Sequence, residues 1–527
     1  MRRPINRVDA LRRNTITLSG KQRPAATLKR NRQSPRTGPD TGRASDRLVP
    51  HRRRPVRDRS GTRPGLGLAR RLTCWLAPLA VLLLGACATP VFNRATNGPL
   101  AESSAADMGR PQDIVGRNVI ALSFSGGGLR AAAFAQGVLQ GLAAQRTPEG
   151  DLLDDVTFVS SVSGGSLTAA YFGLHGRGGL ARFRDDVLLR DYEASMRTSI
   201  VHPDNLWRIL RGGLNDHSNF AAVLDREVFQ GAVFGDLYRQ RRPDIRINAT
   251  DLYHRVPFLF VPVVFAALCS DLREYKLADA VAASMAVPLL FAPVVVRSWP
   301  ERCTMPQSPW VAATLAAPSS LLAQATAEAL AGYRAGGQPH YVKLVDGGVS
   351  DNYGLSGVLD WRLDVSSPLG LLTAKDAVTM ERMLLLLVDA GRSRSGDWSA
   401  REEGPAGVEL ALSVANAGVD SAARLSADFF SIMLDQWQRS IVEFRCSLSE
   451  AEVRQLRGSI DGWNCRDVRF ERDMVSVAAL DPDRRRRFDA IPTRLTLSAE
   501  QVDEAIEAGR RGLLATEAVR IFSEARR

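Results

Sequence analysis

Three short stretches carry residue types in an order that can do chemistry at a carbonyl. Ser161-Val162-Ser163-Gly164-Gly165 follows the apolar run Val156–Val159 and precedes a helix-like run, Ser166–Leu174. A strand, a sharp turn and a helix hold a serine hydroxyl up at a sheet edge, in the elbow usually written G-x-S-x-G. Here Ser161 stands at the first glycine. Upstream, the buried-strand pattern Asn118–Phe124 runs straight into Ser125-Gly126-Gly127-Gly128-Leu129-Arg130. Consecutive glycines ahead of a helix let backbone N–H groups point into a concavity that takes an anion. Downstream, Tyr341–Val345 leads to Asp346-Gly347-Gly348. An acid at the carboxyl end of a strand lies where open α/β sheets place their chemistry. Met383–Val388 ends at Asp389-Ala390-Gly391, which makes Asp389 a rival for the acid role.

A serine hydroxyl is a poor nucleophile until a neighbouring base takes its proton. Beyond the leader the histidines are His175, His202, His217, His254 and His340, and none stands in a glycine-rich strand-end turn. His175 is roughly 16–18 Å along the helix from the elbow, at 1.5 Å per residue. A Ser–Asp dyad is the simpler assembly. The glycine loop has two other readings, a tight structural turn and a dinucleotide fingerprint, Gly126-x-Gly128-x-x-Ala131, with Asp151, Asp154 or Asp155 on the ribose. No Lys-[Ser/Thr] follows, which argues against a P-loop. The next strand–turn being the Ser163 elbow favours an oxyanion hole.

The chain of 527 residues carries a formal +12. Residues 1–71 alone carry +17, which leaves −5 for residues 72–527, so the positive charge belongs to the leader and is no sign of nucleic-acid binding. That leader, rich in Arg, Pro, Ser, Thr and Gly, reads as disordered, with a start codon placed too early as one origin. Arg70-Arg71 then precedes an uncharged stretch, Leu72–Asn93, whose Leu84-Gly85-Ala86-Cys87 ending resembles a bacterial lipobox. A basic region, a short apolar run and small residues before a cut read as an export signal. Residues 72–87 are therefore expected to be a lipoprotein signal with Cys87 acylated. The dense apolar part is too short to span a bilayer comfortably, and Pro78 and Pro90 interrupt it. Residues 88–116 read as a flexible tether. Export places Cys269, Cys303, Cys446 and Cys465 in an oxidising space, with up to two disulfides among three pairings and Cys446–Cys465 the expected one. The lack of C-x-x-C or clustered histidines argues against a metal site.

Strand and helix patterns alternate through residues 117–395, so the fold class is α/β with a mostly parallel central sheet. Ala131–Gln145 is an alanine-rich helix, with Phe134, Val138, Leu139 and Leu142 in period. Within residues 179–235, Trp207, Leu210, Phe220 and Leu224 are expected core. Asp244–Asp251 and Phe258–Phe265 are expected strands, and Lys276–Ala286 a helix stopped near Pro288. Residues 297–338 look like an insertion with an alanine-rich helix around Ala312–Ala331, placed where a lid would be. Residues 396–527 read as a mainly helical C-terminal extension, with a long apolar periodicity over Val408–Phe444. Its final helix opens on a capping box at Ser498 and Gln501.

Taken together, Ser125-Gly-Gly-Gly-Leu-Arg130, Ser161-Val-Ser163-Gly-Gly165 and Asp346-Gly347-Gly348 resemble the G-G-G-x-R, G-x-S-x-G and D-G-[GA] motifs of the patatin-like phospholipase family, in its order. Asn248–Asp251 and Ala283–Pro288 add secondary similarities. The resemblance covers about residues 117–390 and departs at Ser161. It implies a three-layer patatin-like fold with Ser163 as nucleophile and Asp346 as base. It further implies that the N–H groups of Gly126, Gly127 and Gly128 form the oxyanion hole. Arg130 would order the loop or meet a phosphate, and Gly165, Gly347 and Gly348 would support the turns. It implies no metal and no cofactor. An aspartate with a reference pKa near 3.9 is a weak base, so burial is expected to raise it. The expected activity is hydrolysis of phospholipid or other lipid esters by a protein lipid-anchored in a bacterial envelope. The lack of Asp after Cys87 points to the outer membrane, facing the periplasm. The alternatives are an acyltransferase, a small-ester esterase, an inactive lipid-binding envelope protein and, more distantly, a nucleotide-binding protein.

Overall fold

The computed structural model describes residues 94–100, 116–196, 219–239, 243–288, 290–303, 306–335, 340–360, 369–370, 372–392, 398–400 and 402–525. The leader, Cys87, most of the expected tether, His202, Trp207, Leu210 and His217 lie outside these residues.

Strands β1 (Asn118–Phe124) and β2 (Val156–Val162) are buried along nearly their whole length. That is the pattern of parallel strands covered on both faces. Each opens into a helix, α1 (Gly128–Ala144) and α2 (Gly164–Leu180). Next come β3 (Asp244–Asp251), β4 (Val256–Leu259), α3 (Pro262–Ala267), α4 (Leu277–Ser284) and β5 (Val294–Arg297). The expected strand Phe258–Phe265 is thus divided, because Pro262 takes the first position of α3, where its missing N–H costs nothing. The expected helix at 312–331 is likewise two helices, α5 (Pro309–Ala316) and α6 (Leu321–Gly332), parted at Pro318 with Ser320 capping the second.

The chain continues through β6 (Tyr341–Asp346), α7 (Gly348–Asp351), α8 (Leu355–Asp360), β7 (Arg382–Asp389) and the 41-residue α9 (Gly407–Ser447). It ends with β8 (Arg469–Ser476), α10 (Ala499–Ala515) and α11 (Glu517–Glu524). Ser498 and Gln501 form the expected capping box, but α11 follows it, so α10 is not the last helix.

One eight-stranded sheet runs β8-β7-β1-β2-β3-β6-β5, with β4 on the other edge of β3. From β8 to β3 every pairing is parallel, whereas β4 and β6 run antiparallel to β3. On one face Ile120, Leu122 and Phe124 pack in a core with α1, α2 and α10. On the other, Val119 and Ala121 pack with α8 and with Phe430, Leu434 and Trp437 of α9. The molecule is therefore a three-layer α/β fold with a mostly parallel sheet and a helical C-terminal region. That region is built into the layers. It supplies the edge strand β8, and α10 lies against α1 so closely that a Cβ on Gly137 would stand 1.9 Å from the Ile506 carbonyl oxygen.

Helix α9 has two apolar faces. Ala423, Phe430, Leu434, Trp437 and Ile441 are buried, while Leu410, Val414, Leu425, Phe429 and Ile432 are exposed. Among the described residues no helix is long and apolar enough to cross a membrane. Two disulfides are present, Cys446–Cys465 and Cys269–Cys303. Residues 94–100, inside the stretch read as a tether, pack along β5. Ala95 bridges Val295, and the buried Asn97 side chain donates to Ser270 Oγ and the Arg297 carbonyl.

Candidate active site

Register places the site. Asn248 of β3 pairs with Val162 and with Leu259, and Thr250 pairs with Val345 and with Pro257. Since β4 takes one edge of β3, β2 and β6 share the other, and they run toward each other. Ser163 follows the last residue of β2, and Asp346 is the last residue of β6, so the two strands meet tip to tip. Ser163 Oγ donates to Asp346 Oδ2 at 2.8 Å.

Ser163 has φ 51° and ψ −124°, a strained conformation for a residue with a side chain. Such strain costs about 1–3 kcal/mol and persists where surroundings hold it. The holding group is Ser284 Oγ, which accepts the Ser163 N–H at 2.8 Å and donates to the Asn248 carbonyl at 2.6 Å. The same end of α4 receives the hydrogen-bond partner of Ser163: the N–H groups of Gly347 and Asp346 donate to the carbonyls of Ser284 and Ala286. Ser284 therefore positions both partners. Ser284→Ala is expected to lower kcat about 10–100-fold with KM little changed, the effect of about 1–3 kcal/mol for an orphaned buried donor. Steady-state kinetics on a soluble ester checks this, and an unchanged kcat refutes the role.

Asp346 is buried, and its Oδ1 accepts the Gly348 N–H at 2.8 Å. Burial pushes its pKa up to about 6, against the lowering effects of that amide and of Ser163. The carboxylate is thus a stronger base than a solvated aspartate. Asp389, the rival acid, is half-buried and desolvation raises its pKa too, but its Oδ1 is bound to the Gly391 N–H, at the end of a strand on the far side of β1 from Ser163.

The glycine loop corrects one expectation. The Gly126 N–H donates to the Asn352 carbonyl at 3.1 Å, so it is not open to a substrate oxygen. The N–H groups of Gly127 and Gly128 begin α1 and take no hydrogen-bond partner among the described residues. The same is true of Gly164, the residue after Ser163. A Cβ on Gly164 would stand 1.9 Å from the Gly128 carbonyl oxygen, so elbow and loop are in backbone contact. Gly165 lies equally close to β1, where a Cβ would meet that of Phe124 at 2.7 Å. Ser161 turns its hydroxyl to the Arg246 carbonyl at 2.9 Å, so the residue at the first elbow position packs toward β3.

Arg130 is buried and braces the loop. It donates to the carbonyls of Ala390 and Ile491 and to Thr493 Oγ1, and it covers the Phe488 ring. With its Nε and Nη1 turned to these groups, it orders the loop. The Leu129 N–H donates to the Arg494 carbonyl at 3.0 Å. Residues 491–494 of the C-terminal region thus hold the loop from behind. The residues that sequence reading missed are Asn352, Ser284, Gly164 and Thr493. Gly164 had a signal in its place directly after Ser163, and Ser284 lies within the Ala283–Pro288 similarity.

A search of curated proteins returns no match. Residues 122–359, which contain all three glycine-rich turns, match the family model described as patatin-like phospholipase.

Proposed function

We propose that the protein is a serine-dependent lipid acyl hydrolase in which Ser163 and Asp346 form the catalytic dyad. The observation that carries this reading is the 2.8 Å bond from Ser163 Oγ to a buried carboxylate. Asp346 Oδ2 takes the hydroxyl proton as Oγ attacks the ester carbonyl carbon. The oxyanion settles against the N–H groups of Gly127, Gly128 and Gly164, where each donor typically contributes about 2.7–4 kcal/mol. The intermediate collapses to an acyl-serine, and the departing alcohol or lysolipid carries off the proton held by Asp346. Water then repeats the sequence, with Asp346 taking its proton and Ser163 leaving.

In this proposal Cys87 is acylated and holds the protein on the bacterial envelope, beside phospholipid or other lipid-ester substrate. Tethering raises the effective substrate concentration without any new contact. Protein reacted with a fluorophosphonate is expected to label at Ser163, and Ser163→Ala to lose both label and hydrolysis of a p-nitrophenyl ester and of phospholipid vesicles, by at least about 10³-fold. Labelling of the Ser163→Ala variant refutes the nucleophile. A wild type inert toward probe and both substrates refutes the enzyme and favours a lipid-binding protein. Transfer of the acyl group to an added alcohol in preference to water moves the reading to an acyltransferase.

A further inference from the structure

The sequence between Arg302 and Glu328 contains no charged residue. It holds α5 and the start of α6, which form a helical hairpin whose one charged residue, Glu328, is exposed. Val311, Ala323, Ala327 and Leu330 face the core, while Leu315, Leu321 and Leu322 are exposed, Leu321 at 85%. A nearly uncharged surface with protruding leucines enters a lipid interface with little cost of desolvating ions.

Both roots of the hairpin are pinned. Cys303 is disulfide-bonded to Cys269, and beyond α6 the Tyr333 hydroxyl donates to Asp251 Oδ2 and Arg334 to the Ala266 carbonyl. The segment leading from Cys87 arrives at this same side. The Leu100 N–H donates to the carbonyl of Cys269, the partner of Cys303. Ala95 lies beside Val295, which pairs with Lys343, three residues before Asp346. Two strand spacings across and three residues along put Ala95 about 14 Å from Asp346. From Arg94 back to Cys87 the extended chain reaches at most about 24 Å.

We propose that the α5–α6 hairpin is the surface on which the protein lies against a lipid bilayer. The choice of occupant rests on the lipid anchor at Cys87 proposed above. A bilayer anchored within that reach of β5 meets the hairpin and leaves the dyad beside it. The exposed stripe of α9 is the rival surface, but Glu409, Asp420, Asp428 and Asp435 are exposed along the same stretch.

The test uses the full chain with Cys87→Ala, so that no acyl chain contributes, and flotation with phosphatidylcholine vesicles. Leu321 and Leu322 open α6 behind the Ser320 cap, where acidic residues are favourable to the helix, so Leu321→Asp with Leu322→Asp preserves the fold. The double variant is expected to lower vesicle partitioning by on the order of tenfold or more. Its melting midpoint should match the parent. Partitioning should depend only weakly on salt, and added anionic lipid should not raise it, because the hairpin's one charge is the carboxylate of Glu328. Unchanged partitioning of the double variant overturns the proposal. So does its loss only in Leu425→Asp with Phe429→Asp on α9. Self-association that the hairpin substitutions abolish, without vesicle binding by the parent, assigns the surface to a second copy instead. Flotation reads binding alone, so an inert enzyme that still floats refutes the hydrolase reading and leaves this one standing.

Discussion

Asp346→Asn is expected to abolish hydrolysis while making the protein more stable at neutral pH. The amide keeps an oxygen for the Gly348 N–H and a donor for Ser163 Oγ, so the geometry survives and the base is lost. A drop in kcat/KM of about 10³–10⁴-fold is the size expected for removing a dyad member. The stability gain follows from the raised pKa. Burial lifts the Asp346 carboxyl from an ordinary 3.8 to about 6 in the fold. A folded-state pKa above the unfolded one contributes stability that is full below the unfolded value and is lost as pH rises through the folded value. At pH 8 the wild type therefore carries an ionised, buried carboxylate that the variant lacks. At 1.36 kcal/mol per pKa unit the difference is about 3 kcal/mol, vanishing toward pH 4. Denaturant melts of both proteins at pH 4, 6 and 8 measure it. Parallel stability at all three values would mean that Asp346 is not desolvated. The same pKa predicts that wild-type kcat/KM rises with pH to a plateau with a midpoint about 6, because only the ionised form is a base.

The second large effect is expected at Arg130. Three acceptors, the carbonyls of Ala390 and Ile491 and Thr493 Oγ1, depend on this one guanidinium. Its pKa is lowered by burial to about 10, so it stays cationic at neutral pH. Arg130→Ala leaves buried carbonyls without a donor and a space beside Phe488. A loss of about 3 kcal/mol or more follows, since a hydrogen bond to a charged group is worth about 1.5–3 kcal/mol. Activity is expected to fall about 100-fold, because the brace that joins the Gly127–Gly128 turn to residues 491–493 is gone. Arg130→Lys is expected to recover little of either, since an ammonium cannot serve three acceptors set for a planar fork. Denaturation midpoints and kcat/KM on a soluble ester decide this. Wild-type rates in Arg130→Ala would separate the C-terminal brace from catalysis.

The residues that frame the candidate site are divided along the chain. The family match ends at residue 359, yet Ala390, Ile491, Thr493 and Arg494 close the glycine loop from behind. The C-terminal region, in which sequence reading found no chemistry, is part of the frame that holds the Gly127–Gly128 turn.

What could be read locally was read correctly where the cause is local. Apolar runs ending in glycine-rich turns marked β1, β2 and β6, because a strand buried on both faces needs continuous apolar residues and its exit turn needs glycine. Ser498 with Gln501 marked the start of α10, because a cap is a contact three residues long. Local reading failed where proline changed the element, at Pro262 and Pro318. In both cases alanine and valine composition outweighed a single residue that sets the helix boundary. Other features rest on pairing between distant segments. Asp346 rather than Asp389 faces Ser163 because β6 runs antiparallel along the edge of β3 that β2 also uses. Sequence periodicity carries no sign of strand direction. Gly126 is closed and Gly127 open because Asn352, more than two hundred residues on, turns its carbonyl to the first amide. The residue types that do the chemistry were set along the chain. Their number, partners and acidity were set by folding, since hydrogen bonds and desolvation act between atoms that only the packed layers bring together.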